Sequence, residues 1–264
     1  MKDILSELAK LSRQRLDEDM KKVSFSDMRR QAEIAPDMPS FYEAISKPGL
    51  SFICEVKKAS PSKGIIAEDF DYEKIASDYE KAGADAVSVL TEPYKFLGSD
   101  EYLKTIAKNI SKPCLRKDFT VSDYQIYQAK TLGAAAVLLI VRILDREELR
   151  EYIEIAEGIG LDALVECHDE IEIQTALRAG AKIIGVNNRN LRTFDVDIHN
   201  SKRLRKLVPN DLLFVSESGI KNNDDIIDAV NLGADAVLVG EALMRSKDKA
   251  KTLSDWRNAI CQNI

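Results

Sequence analysis

Six apolar runs of the chain end in groups that can move protons or hold anions: Cys54-Glu55-Val56-Lys57-Lys58, Leu115-Arg116-Lys117-Asp118, Val165-Glu166, Val186-Asn187-Asn188-Arg189, Val215-Ser216-Glu217-Ser218-Gly219 and Val239-Gly240-Glu241. Lysine mixed with glutamate suits acid–base chemistry on an anionic substrate, whereas a hard cation such as Mg2+ would call for clustered oxygen ligands. His168 and His199 lie far apart, and His168 precedes Asp169 at the start of a helix, so no metal site is expected. The turns Ser218-Gly219 and Gly240-Glu241 can present backbone N–H groups and a helix N-terminus to a phosphoryl group. The competing reading is a ring of structural salt bridges, Glu55 with Lys57 or Lys117 and Glu166 with Arg189. Charge at six run ends together favours an active site.

Those run ends need a scaffold that gathers them, and a repeat supplies it. Ala82-Gly83-Ala84-Asp85-Ala86-Val87, Leu132-Gly133-Ala134-Ala135-Ala136-Val137, Ala179-Gly180-Ala181-Lys182-Ile183-Ile184 and Leu232-Gly233-Ala234-Asp235-Ala236-Val237 are four versions of one pattern. Each reads as a helix end, a glycine in a left-handed conformation, and a strand beginning. Further apolar runs at 51–56, 113–116, 162–165 and 212–215 interleave with them to give eight strands. Helical periodicity fills the gaps, as in Ile75, Tyr79 and Ala82 or Ile126, Ala129 and Leu132. Eight strand–helix units predict an α/β fold, a (β/α)8 TIM barrel. A doubly wound open sheet is the alternative, and no G-x-G-x-x-G follows the first strand to support it.

Residues 1–50 stand outside the repeat. Ile4, Leu5, Leu8 and Leu11 form an apolar stripe, Ser24 or Ser26 can cap a helix ending before Pro36, and Ser40 a short one ending before Pro48. We expect a helical N-terminal extension packed on the barrel, within one domain spanning 1–264. A membrane-surface or partner-binding helix fits less well, because Glu7, Asp17, Glu18 and Asp19 dilute its positive charge.

The 264 residues carry 38 Lys plus Arg against 44 Asp plus Glu, a formal net charge of −6, and 45% of them are hydrophobic. This balance excludes disorder and leaves no basic face for nucleic acid. Cys54, Cys114, Cys167 and Cys261 contain no C-x-x-C pair and read as reduced thiols. No signal peptide or membrane span is expected, since the longest apolar run, 134–141, stops at Arg142. The expectation is a cytoplasmic protein, monomeric or weakly dimeric, whose partner is a small phosphorylated substrate.

The segment Glu55-Val56-Lys57-Lys58-Ala59-Ser60-Pro61-Ser62-Lys63-Gly64 resembles the signature of the indole-3-glycerol-phosphate synthase family of tryptophan biosynthesis. Leu90-Thr91-Glu92 with Phe96 and Gly98-Ser99, Leu115-Arg116-Lys117-Asp118-Phe119, Leu164-Val165-Glu166-Cys167-His168, Gly185-Val186-Asn187-Asn188-Arg189-Asn190-Leu191, Ser216-Glu217-Ser218-Gly219-Ile220 and Leu238-Val239-Gly240-Glu241 agree in order. The chain ends soon after the eighth helix, which fits the monofunctional form. The resemblance implies closure of 1-(2-carboxyphenylamino)-1-deoxyribulose 5-phosphate to indole-3-glycerol phosphate, with loss of CO2 and water and without a cofactor.

It also implies Lys117 as the ring-closure acid, Lys57 as the lysine that assists dehydration, and Glu166 as a base or stabiliser of the cationic intermediate. Glu55 would orient the lysines, whose division of the steps stays open. Arg189 and Lys57 would hold substrate anions, Lys57 at the phosphate, beside Ser218, Gly219, Gly240 and the backbone N–H of Glu241. Asn187, Glu217 and Ser60 would contact hydroxyls or hold the polar network, and Phe96, Phe119, Leu138, Ile140 and Leu191 would line the anthranilate pocket. Some relatives carry Ser or Thr at the position of Glu241, where a carboxylate repels phosphate unless it turns away. A larger side chain at Gly219 or Gly240 is expected to act mainly on KM. The rivals are an Amadori isomerase, which should lack the second lysine, a Schiff-base aldolase, and a non-catalytic phosphate-binding barrel.

Overall fold

The computed structural model describes residues 4–190 and 193–262. Three helices come first: α1 (Ile4–Lys22), α2 (Phe25–Ile34, capped by Ser24) and α3 (Phe41–Ile45, capped by Ser40). Eight barrel strands follow, besides a short antiparallel pair at Ala59–Ser60 and Gly64–Ile65: β1 (Ser51–Val56), β2 (Ala86–Leu90), β3 (Cys114–Lys117), β4 (Ala136–Ile140), β5 (Asp162–Cys167), β6 (Ile183–Asn187), β7 (Leu213–Glu217) and β8 (Ala236–Val239). The eight pair in parallel, and β1 meets both β2 and β8, so the sheet is a closed barrel and the open-sheet alternative is excluded. The crossovers carry α4 (Tyr72–Lys81), α5 (Asp100–Asn109), α6 (Asp123–Thr131), α7 (Arg146–Gly158), α8 (Glu170–Ala179), α9 (His199–Arg205) and α10 (Asn223–Asn231). After β8 come α11 (Glu241–Arg245) and α12 (Lys249–Gln262). Among the described residues no helix is long and apolar enough to cross a membrane.

The repeat works as its composition requires. Gly83, Gly133, Gly180 and Gly233 end α4, α6, α8 and α10 with φ between 80° and 88°, and each releases the chain into an even-numbered strand.

Strand side chains alternate between two environments. Phe52, Cys54, Val137, Val165, Val186, Phe214 and Val237 face the helices and form the larger core. Ile53, Leu115, Leu138, Leu164, Val215 and Leu238 fill the barrel. Two residues beyond several of these, on the same face, stand Glu55, Lys117, Glu166 and Glu217, so parity delivers charge into the wide end above an apolar floor.

The extension closes both ends. Phe41 and Ile45 of α3 plug the end where the strands begin, tied by the Tyr42 N–H to Asp162 Oδ2 (2.8 Å) and by Ser51 Oγ to the Ile45 carbonyl (3.3 Å). Leu5 and Leu8 of α1 join the inner core from the other end. Ser12 Oγ donates to the Phe119 carbonyl (2.6 Å), and Arg15 binds Asp118 Oδ2 (2.6 Å) and the Thr91 carbonyl (3.2 Å).

Arg116 corrects one expectation. It belongs to the charged end of β3 but faces outward, 1% exposed, under α5 and α6. It donates to the Gln125 carbonyl (2.9 Å), Asp100 Oδ1 (2.8 Å), Gln128 Oε1 (2.8 Å) and Thr91 Oγ1 (3.3 Å). A buried guanidinium is tolerable only with its donors met, so its place is structural. Arg116→Met should cost about 3–5 kcal/mol by leaving Gln128 and Asp100 without their donor. A urea denaturation curve within about 1 kcal/mol of the parent would contradict this.

Candidate active site

The strand ends open into a cavity of about 410 Å³. It gathers Glu55 and Lys57 from β1 and its exit, Lys117 from β3, Glu166 from β5, Asn187 and Arg189 from β6 and its exit, and Glu217, Ser218 and Gly219 from β7 and its exit. Ser60, Phe96, Phe119, Leu138, Gly240 and Glu241 line it as well. Leu191 lies outside the described residues. Among the described residues no cluster of His, Cys, Asp and Glu could hold a metal ion.

Lys117 is the hub. Its Nζ lies 3.0 Å from Glu166 Oε2 and 3.5 Å from Glu217 Oε2, all three groups largely cut off from water. Lys57 forms a close ion pair with Glu55. Glu166 is met by Lys117 and His168 rather than by Arg189, the partner that the competing salt-bridge reading gave it. Arg189 instead donates its N–H to Asn187 Oδ1 (3.0 Å) and Nη1 to the Phe194 carbonyl (3.2 Å). Asn187 couples neighbouring strand ends. Its Nδ2 donates to Glu166 Oε1 (3.3 Å), and its Oδ1 also accepts from Ser218 Oγ (3.0 Å).

The two carboxylates beside Lys117 differ sharply. Burial would raise both, but around Glu166 the attraction of Lys117, then of His168, outweighs it and holds the group well below the usual carboxylate range. Glu217 is pushed up to about 7, by burial first and by repulsion from Glu166 and Glu55, against the pull of Lys117. Its Oε1 has no hydrogen-bond partner among the described residues. Burial alone would lower Lys117, yet Glu166, Glu217 and Glu55 raise it, so it stays an ammonium.

Glycine makes room for this charge. A Cβ on Gly185 of β6 would overlap Glu217 Oε1, and one on Gly240 would overlap the Glu55 carboxylate and come within 2.8 Å of Lys57 Nζ. Gly240 has an ordinary negative φ of −114°, so its smallness serves the Glu55–Lys57 pair as well as any ligand. Gly219 differs: its φ is 104°, and a Cβ would press on Ile198 at 2.7 Å. Ser218 before it has φ 64°, a left-handed conformation braced by Asn188 Nδ2 on its carbonyl (3.0 Å).

The apolar side of the cavity pairs Phe96 with Phe119, ring centroids 6.2 Å apart, beside Leu138 and Ile140. Ile4, Leu5 and Leu8 of α1 complete it. The stripe in α1 was visible in the sequence, but its destination was not. At the opposite side the Glu241 carboxylate turns to Arg245 Nε (3.2 Å), with Lys63 Nζ at 3.8 Å, which offsets its repulsion of an anion. Sequence reasoning also missed His168, which turns back on Glu166 of its own strand and meets Glu172 at the start of α8, and Gly185, whose neighbour Glu217 comes from another strand.

A family model described as indole-3-glycerol phosphate synthase matches residues 5–255. The indole-3-glycerol phosphate synthase of Ruminiclostridium cellulolyticum is 54% identical over 258 residues, 97% of this chain and 99% of that protein. That of Endomicrobium trichonymphae is 51% identical over 259 residues, 97% of this chain and 100% of the other. Among solved structures, 3-hexulose-6-phosphate synthase from Salmonella typhimurium aligns with a TM-score of 0.66 at 17% identity, covering 81% of this chain and 100% of its own. At that identity the likeness speaks for the fold alone.

Two outcomes follow from the charges and the glycines. Glu217 has its folded pKa raised, so the folded state holds a proton that the unfolded state loses, and its contribution to stability falls as pH rises from about 4.5 through 7. Glu217→Gln should therefore stabilise the protein by about 1–3 kcal/mol near pH 8, with a gain that shrinks as pH falls toward 4.5. Thermal melts at both ends of that range check it, and a gain independent of pH would remove the titration from the explanation. Gly240→Ala should lower kcat at least as strongly as it raises KM, because the methyl displaces Glu55 and Lys57. Steady-state kinetics with an effect on KM alone would restore the simpler phosphate-clash reading.

Proposed function

The chain belongs to the indole-3-glycerol phosphate synthase family, and on that premise we propose that Lys117, held between Glu166 and Glu217, is the acid on which its ring closure turns. The reaction is a step of tryptophan biosynthesis, in which 1-(2-carboxyphenylamino)-1-deoxyribulose 5-phosphate becomes indole-3-glycerol phosphate with release of CO2 and water. The ring carbon that bears the carboxylate attacks the ketone, and negative charge builds on the carbonyl oxygen while the aminoaryl system turns cationic. An ammonium at the oxygen and a carboxylate near the cation favour that transition state over the bound substrate.

The single observation that carries this reading is the placement of one ammonium between two unlike carboxylates at the cavity wall. Lys117 gives its proton to the forming hydroxyl, Glu166 stays ionised to face the positive intermediate, and Glu217, near its pKa at neutral pH, can return a proton to Lys117. Loss of CO2 leaves its electron pair in the ring system. Loss of the hydroxyl as water, with Lys57 as the acid and its partner Glu55 holding it in place, and transfer of the proton on the ring carbon beside the nitrogen to Glu166 as base, complete the indole. Asn187 keeps Glu166 and Ser218 in register.

Substrate orientation rests on the cavity's two sides. Phe96, Phe119, Leu138 and α1 suit the aromatic ring, while Ser218, Gly219, Gly240 and the Glu241 N–H suit the phosphate, with Lys57 and Arg189 for the anionic groups and Ser60 for a hydroxyl. Leu5 and Leu8 make the extension part of the same catalytic unit as the barrel. A biosynthetic enzyme with a phosphorylated substrate is at home in the cytoplasm, and this reading assigns it there as a monomer, with a weak dimer as the alternative.

Lys117→Ala should lower kcat by roughly 10²-fold or more, with KM changed far less. The assay follows indole fluorescence after addition of the carboxyphenylamino-deoxyribulose phosphate. Near-normal turnover in that variant would remove Lys117 from the mechanism.

A further inference from the structure

Glu166 and Glu217 flank the same lysine, yet only Glu166 has a second cation-capable group behind it. His168 follows β5 and turns back under the strand end, its side chain only 7% exposed. Its Nε2 lies 3.3 Å from Glu166 Oε1, and its Nδ1 lies 3.1 Å from Glu172 Oε2 in the first turn of α8. An imidazole with a carboxylate oxygen at each nitrogen can donate to both only as the imidazolium. Glu172 is itself fixed: it accepts the His168 N–H at 2.7 Å and Arg142 Nε at 2.6 Å.

We propose that His168 is a positioning residue for the reaction, a buried imidazolium that bridges Glu172 to Glu166 and holds the Glu166 carboxylate ionised with Oε2 turned toward Lys117. Glu166 Oε1 then faces His168 Nε2 at 3.3 Å, an ion-pair contact without hydrogen-bond geometry, and accepts from Asn187, while Oε2 takes Lys117, which together favour one orientation of the carboxylate. The ionised groups around the ring come from every neighbouring element: Glu166 on β5, Glu172 and Asp169 at α8, Arg142 after β4, Lys117 on β3 and Glu217 on β7. Burial alone would lower the His168 pKa, but Glu166 and Glu172 raise it to about 9, so the cation persists through neutrality. Asn200 Nδ2 on the His168 carbonyl, at 3.3 Å, steadies the backbone from α9. The relay runs from the partly exposed Arg142 through Glu172 and His168 to Glu166.

This inference rests on Glu166 being the carboxylate that faces the cationic intermediate, so the test separates the two. His168→Gln keeps a donor of similar reach without charge, and Glu172→Gln keeps the ring but weakens its cation. On the intact protein, kcat and KM are measured with the carboxyphenylamino-deoxyribulose phosphate from about pH 5 to about 9, together with Glu166→Gln. In His168→Gln, kcat near neutrality should fall roughly tenfold with KM within about twofold. Without the cation the Glu166 carboxylate is no longer held toward Lys117, so the loss falls on kcat rather than KM, and Glu172→Gln should lower kcat the same way by less.

The chain has 2 histidines, so 15N spectra of the imidazoles resolve His168 once His199→Gln identifies the other. Both His168 nitrogens should still carry protons near pH 8. An unchanged kcat in His168→Gln, or a neutral His168 near pH 8, overturns the proposal. Should His168→Gln fail to fold, the kcat of Glu172→Gln decides in the same way. Full turnover by Glu166→Gln would overturn the reading of Glu166 and the inference with it. An inactive Glu166→Gln beside an unchanged kcat in His168→Gln would sink the inference alone.

Discussion

Lys117 carries its charge into the neck of the barrel, where water is scarce and an isolated ammonium would lose its proton. It stays charged because Glu166 and Glu217 reach it from β5 and β7, and both can do so only because parity on three strands points all three side chains inward. The neck holds one more carboxylate than Lys117 neutralises. That excess sets Glu217 apart as the group that is half-protonated near neutrality, and it makes the small Gly185 and Gly240 necessary beside the crowded oxygens. The barrel is the means of bringing opposite charges from distant parts of the chain within hydrogen-bond reach of an apolar floor.

The polar neck and the apolar pocket are served by different parts of the molecule. The strands and their exits supply the ionisable groups and the glycine turns, while much of the apolar lining comes from loops and from α1. The buried network of Arg15, Asp118, Thr91 and Arg116 joins these parts, because Asp118 is the next residue after Lys117 and Arg15 is on the helix that roofs the cavity.

The strands, the repeat and the helix caps were legible because they depend on short-range spacing: a glycine after each second helix, a β-branched run, a serine before a helix. Most of the cavity's residues were legible for a related reason, since in a parallel barrel the residues that end strands share one mouth. Parity within an all-charged stretch was not. In Arg116-Lys117-Asp118 only the inner position of Leu115 determines that Lys117 enters the cavity while Arg116 goes under the helices. His168 escaped although Glu166 and Glu172 are near it in sequence, because only the bend after β5 brings both to its ring. Leu5 escaped because the inner core it joins is built from strands far along the chain, which no local pattern announces.

The long reach of α1 bears on how the molecule assembles. The hydrogen bonds that fasten it, from Ser12 to Phe119 and from Arg15 to Asp118, span 107 and 103 residues, and α3 reaches Asp162 across 120. Contacts so distant in sequence repay their loop-closure entropy only after the strands between them have formed. The helical extension is therefore among the last segments to dock. The barrel can stand complete before its aromatic pocket has a roof, so maturation of the binding site is a step that trails the folding of the scaffold.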